Sequence, residues 1–384
     1  MSDSATASTT LYFYPRHRKS PFFEATRRAG CQAYGVYNHM YLPAGYDDPV
    51  TEYWSLINDV TLWDVAVERV VEISGADASE FINRLTPRDL TRCAVGQCKY
   101  VLITAADGGI INDPVLLRVA ENRWWLALAD SEAGLWARGV AVNSGLEVSV
   151  AEPEVHPLQI QGPKSKAVMA ALFGEAVLEL RYYWCREADL DGIPVVIGRT
   201  GWTGELGFEI YLRDPSRGEE LWNRIMEAGA PHDIRPIGPS EARRVEAGIF
   251  NYRADMTLEN NPFELTGLER LVEDQAADYV GKEALLAIKA EGVKRKLVGI
   301  AFEADEELPR PSAAWPALRG GAEVGRVTAA VRSPRLEKTI GYAWLPIALA
   351  APGTQIEVAT PVGARAARTT TLPFLDAKKL VPKA

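Results

Sequence analysis

The sequence predicts an α+β fold with a separate all-β domain toward its C-terminal end. Three observations carry that reading. Strand-like alternation and helical spacing succeed each other between residues 61 and 152. The same mixture restarts after Pro153. From about Lys294 onward, strand-like segments are separated by Pro and Gly turns, and no helical pattern stands out. A chain of 384 residues has room for two or three domains, at roughly 150 residues each.

The elements follow in chain order. Residues 67–73 (VERVVEI) alternate and stop at Ser74 and Gly75, as a strand does when it meets a turn. Residues 76–85 place Ala78, Phe81, Ile82 and Leu85 at helical spacing. Residues 100–104 are apolar, and Asp107, Gly108 and Gly109 are a hairpin signal leading into Ile110 and Ile111. Residues 124–129 (WWLALA) form the next strand, and 131–143 a helix with Ser131 as its N-cap. Beyond Pro153, residues 158–161 are strand-like. Gly162, Pro163, Lys164 and Ser165 then open a helix that runs to Phe173 and stops at Gly174. Strands at 193–198 and 207–212 flank a Gly-rich turn, and 218–228 and 240–248 are helical. In the last domain the strands are 297–302, 325–331, 340–344 and 355–358, with a charged surface loop at 303–316.

Composition narrows the function. Hydrophobic residues make up 47% and charged residues 24%, the balance of a globular chain with a sizeable core. The net charge of −9 argues against a general nucleic-acid binder, which needs a basic face, but leaves room for a local cationic pocket. No stretch approaches the roughly 18 apolar residues of a membrane span. Residues 1–10 read as a frayed polar tail rather than a signal peptide, so a cytoplasmic location is expected. Cys31, Cys93, Cys98 and Cys185 form no CxxC pair, and His17, His39, His156 and His232 are scattered. No metal site is expected, and the thiols are expected to be reduced. Ten Trp and 14 Tyr beside 10 Phe favour partly wet aromatic pockets.

Four motifs carry candidate chemistry. In 107–114 (DGGIINDP), Asn112 and Asp113 follow an apolar pair, and Pro114 interrupts the strand at once. That sets a carboxylate beside buried surface; a turn Asp held by local backbone N–H groups is the plainer reading. In 200–211 (TGWTGELGFEIY), a glycine-rich loop feeds a strand with Glu209 and Tyr211 on one face and Phe208 and Ile210 on the other. It contains neither GxxxxGK[ST] nor GxGxxG, which disfavours nucleotide binding by those routes. Arg243 and Arg244 sit on a helix with Glu241 and Glu246 near them and Tyr252 beyond. His39, between aromatics and Met40, reads as a satisfied core histidine.

Together these residues resemble the folate-dependent aminomethyltransferase family, the glycine cleavage T-protein and its demethylase relatives. Residues 108–113 (GGIIND) are similar to the family's GGIxDD segment, 200–210 to TGYTGExGFEI, and 244–248 (RVEAG) to RLEAG. Residues 261–264 (NPFE) and 372–374 (LPF) resemble later family segments. Within the family the dimethylsulfoniopropionate demethylase branch is resembled at 36–40 (VYNHM), 63–69 (WDVAVER), 96–100 (GQCKY), 112–115 (NDPV) and 160–165 (IQGPKS). The T-protein's DVSHMG is replaced by 64–69, whereas the loop 203–207 (TGELG) keeps the T-protein form, and 235–241 lacks a Cys-Pro-Asn segment. These departures leave the methyl donor open.

The resemblance implies a three-domain cloverleaf of the folate-binding aminomethyltransferase type. The domains would be 1–60 with 153–280 (folate-binding), 61–152, and a barrel-like 281–384. It implies tetrahydrofolate as cofactor, with Glu209 accepting from the pterin donor edge. Tyr100, Arg244, Tyr252 and Tyr211 would join it at the folate, with Asn112 near the reactive edge. Asp113 is the expected catalytic group. Tyr37, Trp202 and His39 are expected at a small methylated substrate, cationic donors being suited to aromatic faces. The implied activity is demethylation of a dimethylsulfoniopropionate-like donor, giving 5-methyltetrahydrofolate. The alternatives are demethylation of another O-, N- or S-methyl donor and glycine-cleavage aminomethyl transfer. A lipoyl carrier protein, nucleic acid and membrane are not expected as partners. The KGCYxGQE signature of tRNA-modification and iron–sulfur relatives is absent.

Overall fold

Two sheets packed against each other and one closed barrel form the framework of this computed structural model, which describes residues 12–304, 308–309 and 311–384. The tail read at 1–10 and part of the loop read at 303–316 lie outside the described residues. The α+β class and the C-terminal β barrel expected from the sequence are both present.

The first sheet has the strand order Cys185–Leu190, Ile193–Gly198, Gly207–Leu212, His156–Gln161, Thr61–Asp64, Arg235–Pro236. Leu158, Ile160, Phe208 and Ile210 are buried on one face. They pack against Val168 and Met169 of helix Ser165–Phe173 and Leu221, Trp222 and Ile225 of helix Gly218–Gly229. The two-residue period of a strand therefore turns Gln159, Glu209 and Tyr211 to the other face. Gln159 and Glu209 are register partners on adjacent strands. Thr61–Asp64 also pairs in this sheet, alongside His156–Gln161.

The second sheet has the order Ser149–Ala151, Val70–Ser74, Arg123–Ala127, Val115–Ala120, Cys98–Tyr100. Helices Ala78–Leu85 and Ala133–Val142 cover one face over Ile73, Leu116 and Trp124. Val70, Cys98, Leu117 and Trp125 on the other face meet Cys185, Val196 and Tyr211 of the first sheet. The barrel closes as Arg295–Phe302, Lys338–Pro346, Ala322–Ser333, Trp315–Arg319, Gln355–Thr360, Gly363–Thr370.

Several elements differ from the sequence reading. The strand expected at 67–73 begins only at Val70, which leaves Glu68 in the turn before it. The apolar run 100–104 is split between Cys98–Tyr100 and Ile103–Thr104, which belong to different sheets. Ser131 is no N-cap: helix Ala133–Val142 starts after Glu132 without a side-chain cap, and the Ser131 hydroxyl donates to the Ile111 carbonyl at 2.6 Å. The barrel gains Trp315–Arg319 and Gly363–Thr370. The first carries Pro316 and the second (GARAARTT) lacks the β-branched apolar residues that mark a strand. A short helix, Leu380–Lys383, follows the barrel, where no helix was expected.

Candidate functional site

A cavity of about 600 Å³ opens where these parts meet. Its walls come from the N-terminal hairpin (Tyr37), the second sheet (Tyr100, Ala127), the break leading into it (Asp113) and the first sheet (Gln159, Glu209). The segment 248–252 and the stretch 375–379 after the barrel complete it. Just beyond that stretch, the Arg199 guanidinium donates to the carbonyls of Pro382 at 2.7 Å and Ala384 at 2.6 Å.

Glu209 is buried at one wall. Its Oε1 accepts from Gln159 Nε2 at 2.7 Å, and its Oε2 accepts from the Tyr211 hydroxyl at 2.8 Å and from the Thr200 hydroxyl. Burial raises its carboxyl above the usual range, and those three donors oppose the rise. Gln159 is fully buried, and its Oε1 has no hydrogen-bond partner although it belongs to a cavity-lining side chain. The loop leading to Glu209 is folded around a second glutamine. Gln161 Oε1 accepts from Thr203, and a Cβ at Gly201 or Gly207 would lie 2.4 Å from that amide, so a side chain at either position would displace it. This close approach presents Trp202 to the cavity.

Asp113 lies at the break between strands Ile110–Asn112 and Val115–Ala120, which belong to different sheets. Its Oδ2 accepts from the Tyr100 hydroxyl at 2.8 Å, while Oδ1 is buried without a partner. Burial pushes its carboxyl up to about 7, against the hydrogen bond from Tyr100. Tyr252 lines the cavity and donates to the Ile110 carbonyl at 2.7 Å, bracing the strand that leads to Asp113.

Tyr37 reaches the cavity from the hairpin Ala33–Tyr37/Met40–Gly45. The hairpin turns on Asn38 and His39, both left-handed with φ of 47° and 61°. The Asn38 amide donates to the carbonyls of Val67 and Ala129, each at 3.0 Å, and so fastens the turn to the second sheet.

The structure thus brings Asp113, Glu209, Tyr100, Tyr252, Tyr37 and Trp202 to one cavity. It places the other expected residues elsewhere. Tyr211 stands behind Glu209 as a hydrogen-bond donor. The Asn112 amide is consumed by Ala129 and Ser131, because strand alternation turns it away from Asp113. Arg244 is buried between Glu241 and Asp255, 2.7 Å from the latter, and does not line the cavity. His39 is no core histidine: its side chain is 63% exposed and its Nε2 lies 3.3 Å from Glu132.

Sequence reasoning missed several cavity residues that carry functional groups. Glu68 lines it from the turn before Val70–Ser74. Gln159 was hidden in a run read only as strand. Arg243, rather than Arg244, faces the cavity, with Nε on Glu205 at 2.6 Å and Nη1 without a hydrogen-bond partner. Lys379 joins Arg270 and Lys383 in a cationic group; burial and those two neighbouring charges hold its ammonium below the ordinary lysine value. Adjacent Arg residues on a short helix could have flagged Arg243, but only packing decides which one turns inward.

Comparison with known proteins agrees with this architecture. Residues 22–275 match the GCVT N-terminal domain, and residues 295–376 match the glycine cleavage T-protein C-terminal barrel domain. The chain is 38% identical to dimethylsulfoniopropionate demethylase DmdA of Ruegeria pomeroyi over 91% of its own length and 95% of that protein's. It is 31% identical to an aminomethyltransferase of Symbiobacterium thermophilum over 93% and 97% of the two chains. The crystal structure of glycine cleavage system aminomethyltransferase T from Bartonella henselae superposes with a TM-score of 0.83 at 24% identity, covering 93% of this chain and 98% of that one, and so shares the fold.

Proposed function

We propose an activity from one premise: the chain belongs to the glycine cleavage T-protein family. It is a tetrahydrofolate-dependent demethylase that moves a methyl group from a small onium donor, of the dimethylsulfoniopropionate kind, to folate N5. The observation that carries this reading is the pairing in one cavity of a buried acceptor wall, Glu209 with Gln159, and aromatic faces, Tyr37 and Trp202. Likeness to a protein named dimethylsulfoniopropionate demethylase over nine-tenths of the chain supports the donor class.

The residues present fit a reduced pterin. A carboxylate offers about four acceptor positions, and Glu209 already receives three donors. Its remaining position and the unpartnered Gln159 Oε1 make a two-acceptor edge for the pterin N3–H and 2-amino group. Arg270 and Lys379 stand ready for the folate carboxylates. Bound there, tetrahydrofolate supplies N5 as the nucleophile.

The protein's contribution is alignment, water exclusion and one proton. Tyr37 and Trp202 hold the onium, each face contributing about 0.5–2 kcal/mol, and the enclosed wall fixes donor and acceptor in line. As the methyl moves, the S–CH3 bond breaks with its electron pair left on sulfur, so the leaving group needs no acid. The proton on N5 must then depart. Asp113, with Oδ1 unpartnered and its carboxyl near 7, is matched to accept it.

Incubation with tetrahydrofolate and a panel of sulfonium, quaternary ammonium and methyl ether donors tests the reading, with 5-methyltetrahydrofolate read by mass spectrometry. Product from the onium donors is expected; none from any donor would overturn it. A second reading, aminomethyl transfer, is favoured by the likeness to an aminomethyltransferase over 93% of the chain and by the T-protein form of the loop 203–207, which holds Arg243 through Glu205. It requires turnover that depends on an added lipoylated carrier protein, and such dependence would replace the first.

A further inference from the structure

Four carboxylates line the cavity; one, Asp376, is occupied by the backbone N–H groups of Leu380 and Val381, and the demethylase reading uses only Asp113 and Glu209 of the other three. The third, Glu68, accepts one long hydrogen bond, from Gln159 Nε2 at 3.5 Å. Its sequence neighbour Arg69 is turned away onto Glu152, with Nε 2.9 Å from Oε1. Among the described residues no Lys, Arg or His pairs with Glu68; burial and the like charges of Glu209 and Asp113 all act against its ionised form. Tyr37 lies within electrostatic reach of both Glu68 and Asp113. One amide nitrogen thus holds Glu68 and Glu209 side by side, while Asp113, its Oδ1 buried without a partner, lines the same cavity.

We propose that Glu68 is the specificity-determining residue that selects a cationic methyl donor, its carboxylate pairing with the onium centre beside Tyr37. This rests on the demethylase reading. The direction of charge movement assigns its kinetic role. During transfer the positive charge leaves the donor sulfur, which becomes a neutral thioether. It appears on N5, whose proton passes to Asp113 and then to solvent. A counter-charge at the donor therefore stabilises the bound substrate at least as much as the transition state, so Glu68 acts on KM while Asp113 acts on kcat.

The test uses the whole protein, its Glu68→Gln and Glu68→Asp variants, tetrahydrofolate and dimethylsulfoniopropionate. Thermal melts first establish that the variants are folded. Glu68→Gln is expected to raise KM at least about tenfold, a change worth 1.4 kcal/mol, with kcat within about twofold. Inhibition by 3-(methylthio)propionate, which keeps the carboxylate of the donor but has lost its sulfonium charge, and the Kd for tetrahydrofolate should not weaken, and Glu68→Asp should recover part of the loss. An equal loss for 3-(methylthio)propionate would assign Glu68 to shape rather than to the sulfonium charge and overturn the proposal. So would a weakened tetrahydrofolate Kd, which would move Glu68 to the folate. If the wild type turns over no donor, the demethylase reading fails separately. Calorimetric binding of dimethylsulfoniopropionate then decides: binding lost in Glu68→Gln keeps the cation site, and no binding to the wild type removes it.

Discussion

The Tyr100 hydroxyl donates to Asp113 Oδ2 at 2.8 Å, across the interruption that separates two sheets. This contact holds down a carboxyl that burial has already pushed up to about 7. Tyr100→Phe removes it, and the carboxyl should rise further, by about one unit for a hydrogen bond worth about 1.5 kcal/mol. If the ionised form accepts the N5 proton, the rate falls as pH drops through the native value. The acidic limb of the kcat profile should then move to higher pH in the variant. An unmoved limb would assign it to another group.

Asp113→Asn should lower kcat by about a hundredfold or more while keeping the acceptor for Tyr100. It should also stabilise the fold at alkaline pH. The native carboxyl keeps its proton up to about pH 7, whereas in the unfolded chain it loses it near pH 4. The native state therefore binds more protons between those values, and stability from this group declines as pH rises through that window. The variant should melt higher than the wild type at pH 8 and equally at pH 4. Melts that differ by the same amount at both values would contradict the shift.

Glu209→Gln puts an amide where three donors and the pterin edge converge. Tetrahydrofolate affinity should fall about tenfold to a hundredfold, as for the loss of a charge-assisted hydrogen bond worth 1.5–3 kcal/mol. Equilibrium fluorescence titration measures it, and an unchanged Kd would remove Glu209 from the folate.

Arg244→Ala should act on stability before activity. Arg244 is buried and bridges the partly exposed Glu241 to the fully buried Asp255, so its loss strands a buried carboxylate. A cost of about 3–5 kcal/mol is expected, read as a lowered urea midpoint. A folate defect without destabilisation would instead return Arg244 to the ligand.

Much of this site was legible because strand chemistry repeats every two residues. The run 207–212 displays Glu209 and Tyr211 opposite Phe208 and Ile210, and the structure keeps that division. Pro114 marked the break that frees Asp113. What stayed hidden depends on tertiary packing. Glu68 fell inside the run 67–73 read as strand, whereas the strand starts only at Val70. Arg243 and Arg244 are equivalent by composition, and only the neighbouring Glu205 and Asp255 separate their directions. One omission was readable: Asp48 followed by Pro49, with Glu52 in the first turn, announces helix Pro49–Asn58, and the Asp48 side chain accepts from Val50 and Thr51.

The cavity draws its walls from the hairpin, both sheets and the stretch after the barrel, and this has a thermodynamic consequence. A ligand that touches all of them binds only the docked arrangement, so its binding free energy adds to the cohesion of the units. At a hundredfold excess over Kd that is about 2.7 kcal/mol. Substitutions in the barrel, far from any reacting atom, should then appear as weaker ligand affinity by mass action. Saturating ligand should in turn slow proteolytic cleavage between the units.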